Sequence, residues 1–199
     1  VIVFLSIYPL LMIGWLIEEH GELVIWINQH RSVLLDQAMP LITYLGDGIF
    51  LAIVCLALLL WRWRLGLFFM TAGLIQAITS LLLKRVIFGP IPRPVSYFGA
   101  SESVQLDLVP GVAIARYFSF PSGHSMTAFM LTALLSFFVP KRYHLLLLFL
   151  SFSVAFSRMY LLQHFYRDVV AGAFIGVLVA SVLYALLWPY FAKLRQGRL

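Results

Sequence analysis

Long apolar runs separated by short polar clusters set the organisation of this chain. Apolar residues dominate roughly 1–17, 49–61, 65–83, 123–139, 144–163 and 168–188, and unbroken runs of this kind suit membrane-crossing helices better than the apolar stripes of soluble ones. The second run is short for a crossing and is expected to extend back through Tyr44–Gly48. Segment 18–48 has a different texture. Trp26, Ile27, Leu34, Leu35 and Leu41 are mixed with polar residues there, which suits a helix lying at the membrane surface. Connection 84–121 is long for a structureless loop, and loops of that length usually carry function. The pattern predicts an all-α fold: a six-transmembrane-helix bundle with an interfacial helix and one long functional loop, in a single integral membrane domain over residues 1–199. No internal repeat, low-complexity tract or linker divides it.

Composition agrees with that placement. Of 199 residues, 62% are hydrophobic and 11% charged, far from the balance of a soluble domain. The net charge of +6 does not point to nucleic acid, because the basic residues are scattered among apolar runs and form no phosphate-tracking stripe. Topology explains them better. Arg62 and Arg64, Lys141 and Arg142, and Lys193, Arg195 and Arg198 all fall on one side of a six-crossing bundle, which the positive-inside rule makes cytoplasmic. Glu18, Glu19, Glu22, Asp36 and Asp47 fall on the other side with connection 84–121 and the turn around His164. The single cysteine, Cys55, sits in an apolar run and is read as packing. Val1 opens inside an apolar run, so the natural start is expected upstream; without a basic flank or a small-residue cleavage site, the run is not read as a cleaved signal peptide.

Two polar clusters carry the chemistry. The first is Pro121-Ser122-Gly123-His124; the second is Ser157-Arg158, then His164 and Asp168. Four residues apart on a helix, Asp168 can hold one imidazole nitrogen of His164 and leave the other free to attack. A phosphate ester leaving a lipid alcohol needs cations around its oxygens, an in-line nucleophile and an acid for the leaving oxygen. Arg93 and Arg158 can fork onto phosphate, Lys84 or Arg85 can add a point charge, and the Ser122 and Gly123 amides can form an anion site at a helix start. His164, paired with Asp168, is then the nucleophile. His124 protonates the leaving group and afterwards activates water.

Each feature alone has an ordinary reading. Pro-Ser-Gly-His is a common helix start, Arg158 can snorkel from a helix end, and a His–Asp pair occurs on many helix surfaces. Their convergence on one predicted membrane face is what favours a site, since ionisable groups are expensive near lipid. Arg167, Arg116, His20 and His30 lack such a setting and are read as solvated or interfacial.

At these residues the chain resembles the type 2 phosphatidic acid phosphatase superfamily, the membrane lipid phosphatases related to vanadium haloperoxidases. That family is marked by a lysine, six residues and Arg-Pro; then Pro-Ser-Gly-His; then Ser-Arg, five residues, His, three residues and Asp. The second motif matches at Pro121–His124 and the third in full at Ser157-Arg158, His164 and Asp168. The first departs, with eight residues between Lys84 and Arg93 and seven between Arg85 and Arg93. Lys84 is favoured as the phosphate ligand, with Gly89-Pro90-Ile91-Pro92 looping out the extra length. The resemblance covers roughly 40–188 and implies a metal-independent phosphohistidine mechanism without cofactor. It implies His164 as nucleophile, Asp168 as its partner, His124 as acid, and Lys84, Arg93, Ser122, Gly123 and Arg158 as phosphate binders. The expected partners are membrane lipids and a lipid phosphate substrate.

Undecaprenyl pyrophosphate or a related phospholipid phosphate, met at the outer face of a bacterial inner membrane, is the first expectation. A lipid A phosphatase or lipid phosphotransferase is the nearest alternative. A non-enzymatic lipid transporter of the same fold is a third, disfavoured because transport needs neither nucleophile nor acid.

Overall fold

The computed structural model describes residues 2–99 and 104–193, so Val1, Arg195 and Arg198 of the preceding argument lie outside the described residues. Ten α-helices occur among them: α1 (Ile2–Ser6), α2 (Tyr8–Ile17), α3 (Glu22–Gln29), α4 (Val33–Thr43), α5 (Gly48–Trp61), α6 (Trp63–Leu82), α7 (Pro94–Phe98), α8 (Gly123–Ser136), α9 (His144–Tyr160) and α10 (Tyr166–Lys193). No strand occurs among the described residues, as the all-α expectation requires.

Three helical stretches are long and apolar enough to cross a membrane: Trp63–Ile87, Lys141–Tyr160 and Tyr166–Lys193. Two bent pairs raise the number to five if each is one span: Ile2–Ile17 with Glu22–Gln29 at 95°, and Val33–Gly46 with Gly48–Trp61 at 54°. If this pair is one span, the second run extends back through Tyr44–Gly48 as expected, but across a 54° bend. Tyr44–Gly46 tightens into a 3₁₀ turn, and Asp47 then caps a new helix by accepting the Ile49 N–H at 2.8 Å. Segment 18–48 holds two helices, α3 and α4, the second capped by Ser32, which accepts the Leu35 N–H at 3.3 Å.

The fourth apolar run is shorter as a helix than its pattern predicts. α8 has 14 residues, begins at the Ser122 cap and gives way to turns before Pro140. At ~1.5 Å per residue it rises about 21 Å, short of a hydrocarbon layer of ~30 Å. Its position explains why so short a helix is so apolar, for Met126, Phe129, Met130 and Leu134 are wholly buried between neighbouring helices. Contact with α10 is the closest. A Cβ built on Gly172 would lie 2.6 Å from the Ser122 carbonyl oxygen, and one on Gly176 would lie 2.4 Å from that of Met126. These two glycines, one turn apart, let the backbones touch in the way small residues allow in membrane bundles. At the far end of α8, Phe138 packs among Phe68, Phe69, Tyr184 and Trp188.

Connection 84–121 is stitched to its surroundings through backbone groups. The Arg93 N–H donates to the Arg116 carbonyl at 2.8 Å, and the Ser119 N–H donates to that of Ile91 at 3.0 Å. Asn28 acts as a surrogate strand partner for Asp107, donating to its carbonyl at 2.8 Å and accepting its N–H at 3.0 Å. The start of α8 is thereby held between the loop and α10.

Gly176→Ala should force α8 and α10 apart, because no flexible side-chain end is available to yield. Overpacking of this kind costs about 1–3 kcal/mol. The expected outcome is a lower unfolding temperature in detergent with a parallel loss of turnover, measured by thermal denaturation of purified protein.

Candidate active site

Helix ends supply nearly every polar group of the site. α9 terminates in a Schellman turn: the Gln163 N–H donates to the Arg158 carbonyl at 2.9 Å and the Leu162 N–H to that of Met159 at 3.0 Å. Leu162 takes the left-handed position at φ 56°, where glycine is usual, and keeps its side chain buried. The His164 N–H also reaches the Arg158 carbonyl, at 3.2 Å. The five-residue spacer between Arg158 and His164 is therefore the length of one closed helix terminus, and it brings the histidine back beside the arginine.

Asp168 lies in the first turn of α10 and reaches back over the helix start. Its Oδ2 accepts the Phe165 N–H at 2.9 Å and the Ser119 hydroxyl, and it lies 3.4 Å from His164 Nδ1. A carboxylate only accepts, so the Nδ1 facing it carries the proton and Nε2 keeps the lone pair. His164 and Asp168 are 1% and 3% exposed, which shields the pair from water. Burial first, then the charges of Arg93, Arg158, Lys84 and His124, hold the His164 imidazole well below its usual range. His164 is thus neutral in the resting site.

The cations come from three directions. Arg93 donates from Nε to the Tyr117 carbonyl at 2.9 Å and from Nη1 to Gln163 Oε1 at 2.9 Å. Arg158 donates from Nη1 to Thr43 Oγ1 at 2.7 Å, while its buried Nε has no hydrogen-bond partner among the described residues. Lys84 Nζ donates to the Phe118 carbonyl at 2.8 Å, whereas Arg85 lays its guanidinium over the Phe118 ring at 4.7 Å. A π-helical turn over Leu83–Ile87 and a left-handed Gly89 at φ 71° take up the extra residues before Arg93. Lys84, Arg85, Arg93, Gly123 and His124 border one cavity of 580 Å³.

The Ser122 amide is a correction to the sequence reading. Its N–H donates to the Asp168 carbonyl at 3.0 Å and is not available to an anion. The side chain instead caps α8, accepting the Ser125 N–H at 3.4 Å and the Ser125 hydroxyl at 3.0 Å. The first-turn residues that border the cavity are Gly123 and His124, one residue further on.

Four residues escaped the sequence reading as members of the site: Asp47, Thr43, Gln163 and Ser119. Asp47 Oδ2 lies 3.8 Å from His124 Nε2. Gly46 permits that approach, since a Cβ there would stand 2.8 Å from the His124 carbonyl oxygen. An acidic residue at the start of a membrane run, on the face shared with both clusters, was the available signal for Asp47. Gln163 carried one too, as the polar neighbour of His164. Thr43 and Ser119 had none, because their roles depend on tertiary contact. Among the described residues, no three or more His, Cys, Asp and Glu side chains gather as a metal site would require.

Comparison with known proteins follows the geometry. The chain is 33% identical over 138 residues to glucose-6-phosphatase catalytic subunit 1 of Haplochromis nubilus, an alignment covering 59% of this chain and 39% of that protein. It therefore spans about two-fifths of the length of that curated relative. The crystal structure of Aquifex aeolicus LpxE superposes with a TM-score of 0.71 at 27% identity, covering 83% of this chain and 94% of that one. The first transmembrane PAP2-type phosphatidylglycerolphosphate phosphatase from Bacillus subtilis shares the fold, with a TM-score of 0.58 at 23% identity over 99% of this chain and 98% of that one. Residues 61–191, which contain both polar clusters and all three cations, match the model of the PAP2 superfamily, and the chain belongs to that superfamily.

Proposed function

We propose that this phosphatase hydrolyses a membrane lipid phosphate or pyrophosphate through a phosphohistidine on His164, without a metal. The observation that carries the proposal is the buried His164–Asp168 pair, its Nε2 lone pair free, set among Arg93, Arg158 and Lys84. Nε2 forms a bond to phosphorus as the bond from phosphorus to the lipid oxygen breaks. His124 gives that oxygen its proton, and Asp168 stabilises the positive imidazole ring. His124 then takes a proton from water, which attacks the phosphohistidine and releases inorganic phosphate. Lys84, Arg93, the Arg158 Nε and the Gly123 amide neutralise the phosphoryl oxygens, with the Ser122 hydroxyl as a further donor. Asp47, 3.8 Å from the His124 ring, orients it.

The cavity continues from these cations between α5 and α6, along Leu51, Gly73, Ala77 and Leu81. Apolar walls beneath a phosphate site suit a lipid. In the arrangement proposed, one domain over 1–199 crosses the membrane six times, with α8 as the short crossing and α3–α4 at the interface. The site then faces the outside of a bacterial inner membrane, where undecaprenyl pyrophosphate or a phospholipid phosphate would meet it.

Nucleophile and acid are separable with p-nitrophenyl phosphate, whose leaving group needs no proton. His124→Ala should still become phosphorylated on His164 and accumulate an acid-labile, base-stable label, while His164→Ala should take up none. Label on His164→Ala alone would reverse the two roles.

Asp47→Asn keeps the helix cap but removes the charge beside His124. Turnover of a lipid phosphate should fall roughly tenfold and that of p-nitrophenyl phosphate by less than about threefold, because only the former depends on the acid. Equal losses on both would place Asp47 outside proton transfer.

His164 loses its attacking lone pair when it protonates, so a lowered pKa lets activity persist into acid. The acid limb of kcat/KM should lie below pH ~6.5, the ordinary imidazole value. Arg93→Met removes one of the charges that depress it and should move that limb to higher pH, besides raising KM. A limb fixed at the ordinary imidazole value in both proteins would rule His164 out as its source.

A further inference from the structure

Among the described residues, Gln76 is the one buried polar side chain in the cavity wall that the phosphatase chemistry does not use. It lies within the membrane-crossing stretch Trp63–Ile87 and is 2% exposed. Among the described residues, neither its Nε2 nor its Oε1 has a hydrogen-bond partner. A buried amide left unsatisfied in an apolar span is a standing cost, which a polar ligand group would remove.

Its position says where such a group would sit. Gly73, Gln76, Ala77, Ser80 and Lys84 recur at helical spacing and border the same cavity, so α6 presents it with one face. Ser80 stands at the phosphate end, its Oγ only 3.4 Å from where a Gly123 Cβ would be. Gln76 is one turn further down, about 5–6 Å along the helix axis. Ala77 and Leu81 beside it are exposed, which opens the cavity laterally, whereas the space at Gly73 is filled by Leu51, 3.0 Å from where a Cβ would stand.

We infer that Gln76 forms a second subsite, which takes the acyl carbonyl of the lipid whose phosphate sits at Lys84 and Arg93. Both amide atoms are closed to solvent at rest, so a turn of the side chain toward the cavity brings the Nε2–H onto the carbonyl oxygen. In a glycerol phosphate ester that carbonyl lies a few bonds from phosphorus, within about one helical turn. A polyprenyl phosphate has only hydrocarbon at that depth and leaves Gln76 unpaired. Discrimination of this kind is strong because the penalty falls on the site's own buried polar group. The inference rests on the lipid phosphatase reading and narrows its substrate to an acylated lipid phosphate.

The test compares phosphatidic acid, its dialkyl ether analogue and a polyprenyl phosphate, with wild type, Gln76→Met and Gln76→Leu in detergent. Wild type should prefer the diacyl over the dialkyl lipid by about tenfold in kcat/KM, and both variants should lose that preference. A ratio within one preparation does not depend on how much protein is folded. Wild type that treats diacyl and dialkyl lipids alike, or prefers the polyprenyl phosphate, overturns the inference while leaving the phosphatase reading intact. So does a preference that survives in either variant. Release of phosphate from none of the lipids overturns both.

Discussion

Inside a bundle this apolar, unpaired backbone atoms hold most of the charged groups of the site, with Arg158 on the Thr43 hydroxyl as the exception, and that arrangement shapes the site. Helix interiors satisfy their own N–H and carbonyl groups; helix ends do not. The site accordingly gathers the end of α9, the starts of α8 and α10, and the turn before α5. Arg93 and Lys84 are both tied to loop carbonyls, and Asp168 takes up a free N–H at the start of its own helix. Each bond also orients its side chain. The same contacts that make burial tolerable thus build the catalytic geometry, and a site of this kind needs no separate scaffold.

The α8–α10 contact turns these separate helix ends into one site. With Gly172 against the Ser122 carbonyl, and the Ser122 N–H on the Asp168 carbonyl, the two motifs are linked through backbone rather than through side chains. The first turn of α8, with Gly123 and His124, and that of α10, with Asp168, therefore keep a fixed separation. Backbone linkage also explains the loss of Ser122 as an amide donor. Its N–H joins the helices and is not open to an anion.

Much of this was legible in the residues. The apolar runs announced an all-α membrane protein, and the spacing of Ser157-Arg158 and His164 brings the histidine back beside the arginine because a Schellman turn has a fixed length. Hydropathy proved a poor guide to helix length at 123–139, where burial inside the bundle produces the same apolar texture as lipid exposure. It also missed the bend at Tyr44–Asp47, which depends on a side-chain cap. Asp47, Thr43 and Ser119 act on residues distant in sequence, and local pattern has no access to such pairs. The altered spacing at Lys84 looked like a defect in the first motif. A π turn and a left-handed glycine absorb it, so the ammonium still reaches the cavity.

The arrangement of charge bears on how such a site releases its product. In the proposed mechanism Lys84, Arg93 and Arg158 share one phosphoryl group, and in a low-dielectric setting such cations would hold inorganic phosphate as well as they hold the group in transfer. Uniform binding of that kind would slow turnover. The loop carbonyls of Tyr117 and Phe118 counter it, because Arg93 and Lys84 already donate to them and give up part of those contacts when they turn to phosphate. Release then restores what binding disturbed. Connection 84–121 thereby tempers the affinity of the cations it carries, while the neutral His164 beneath them stays ready for the next ester.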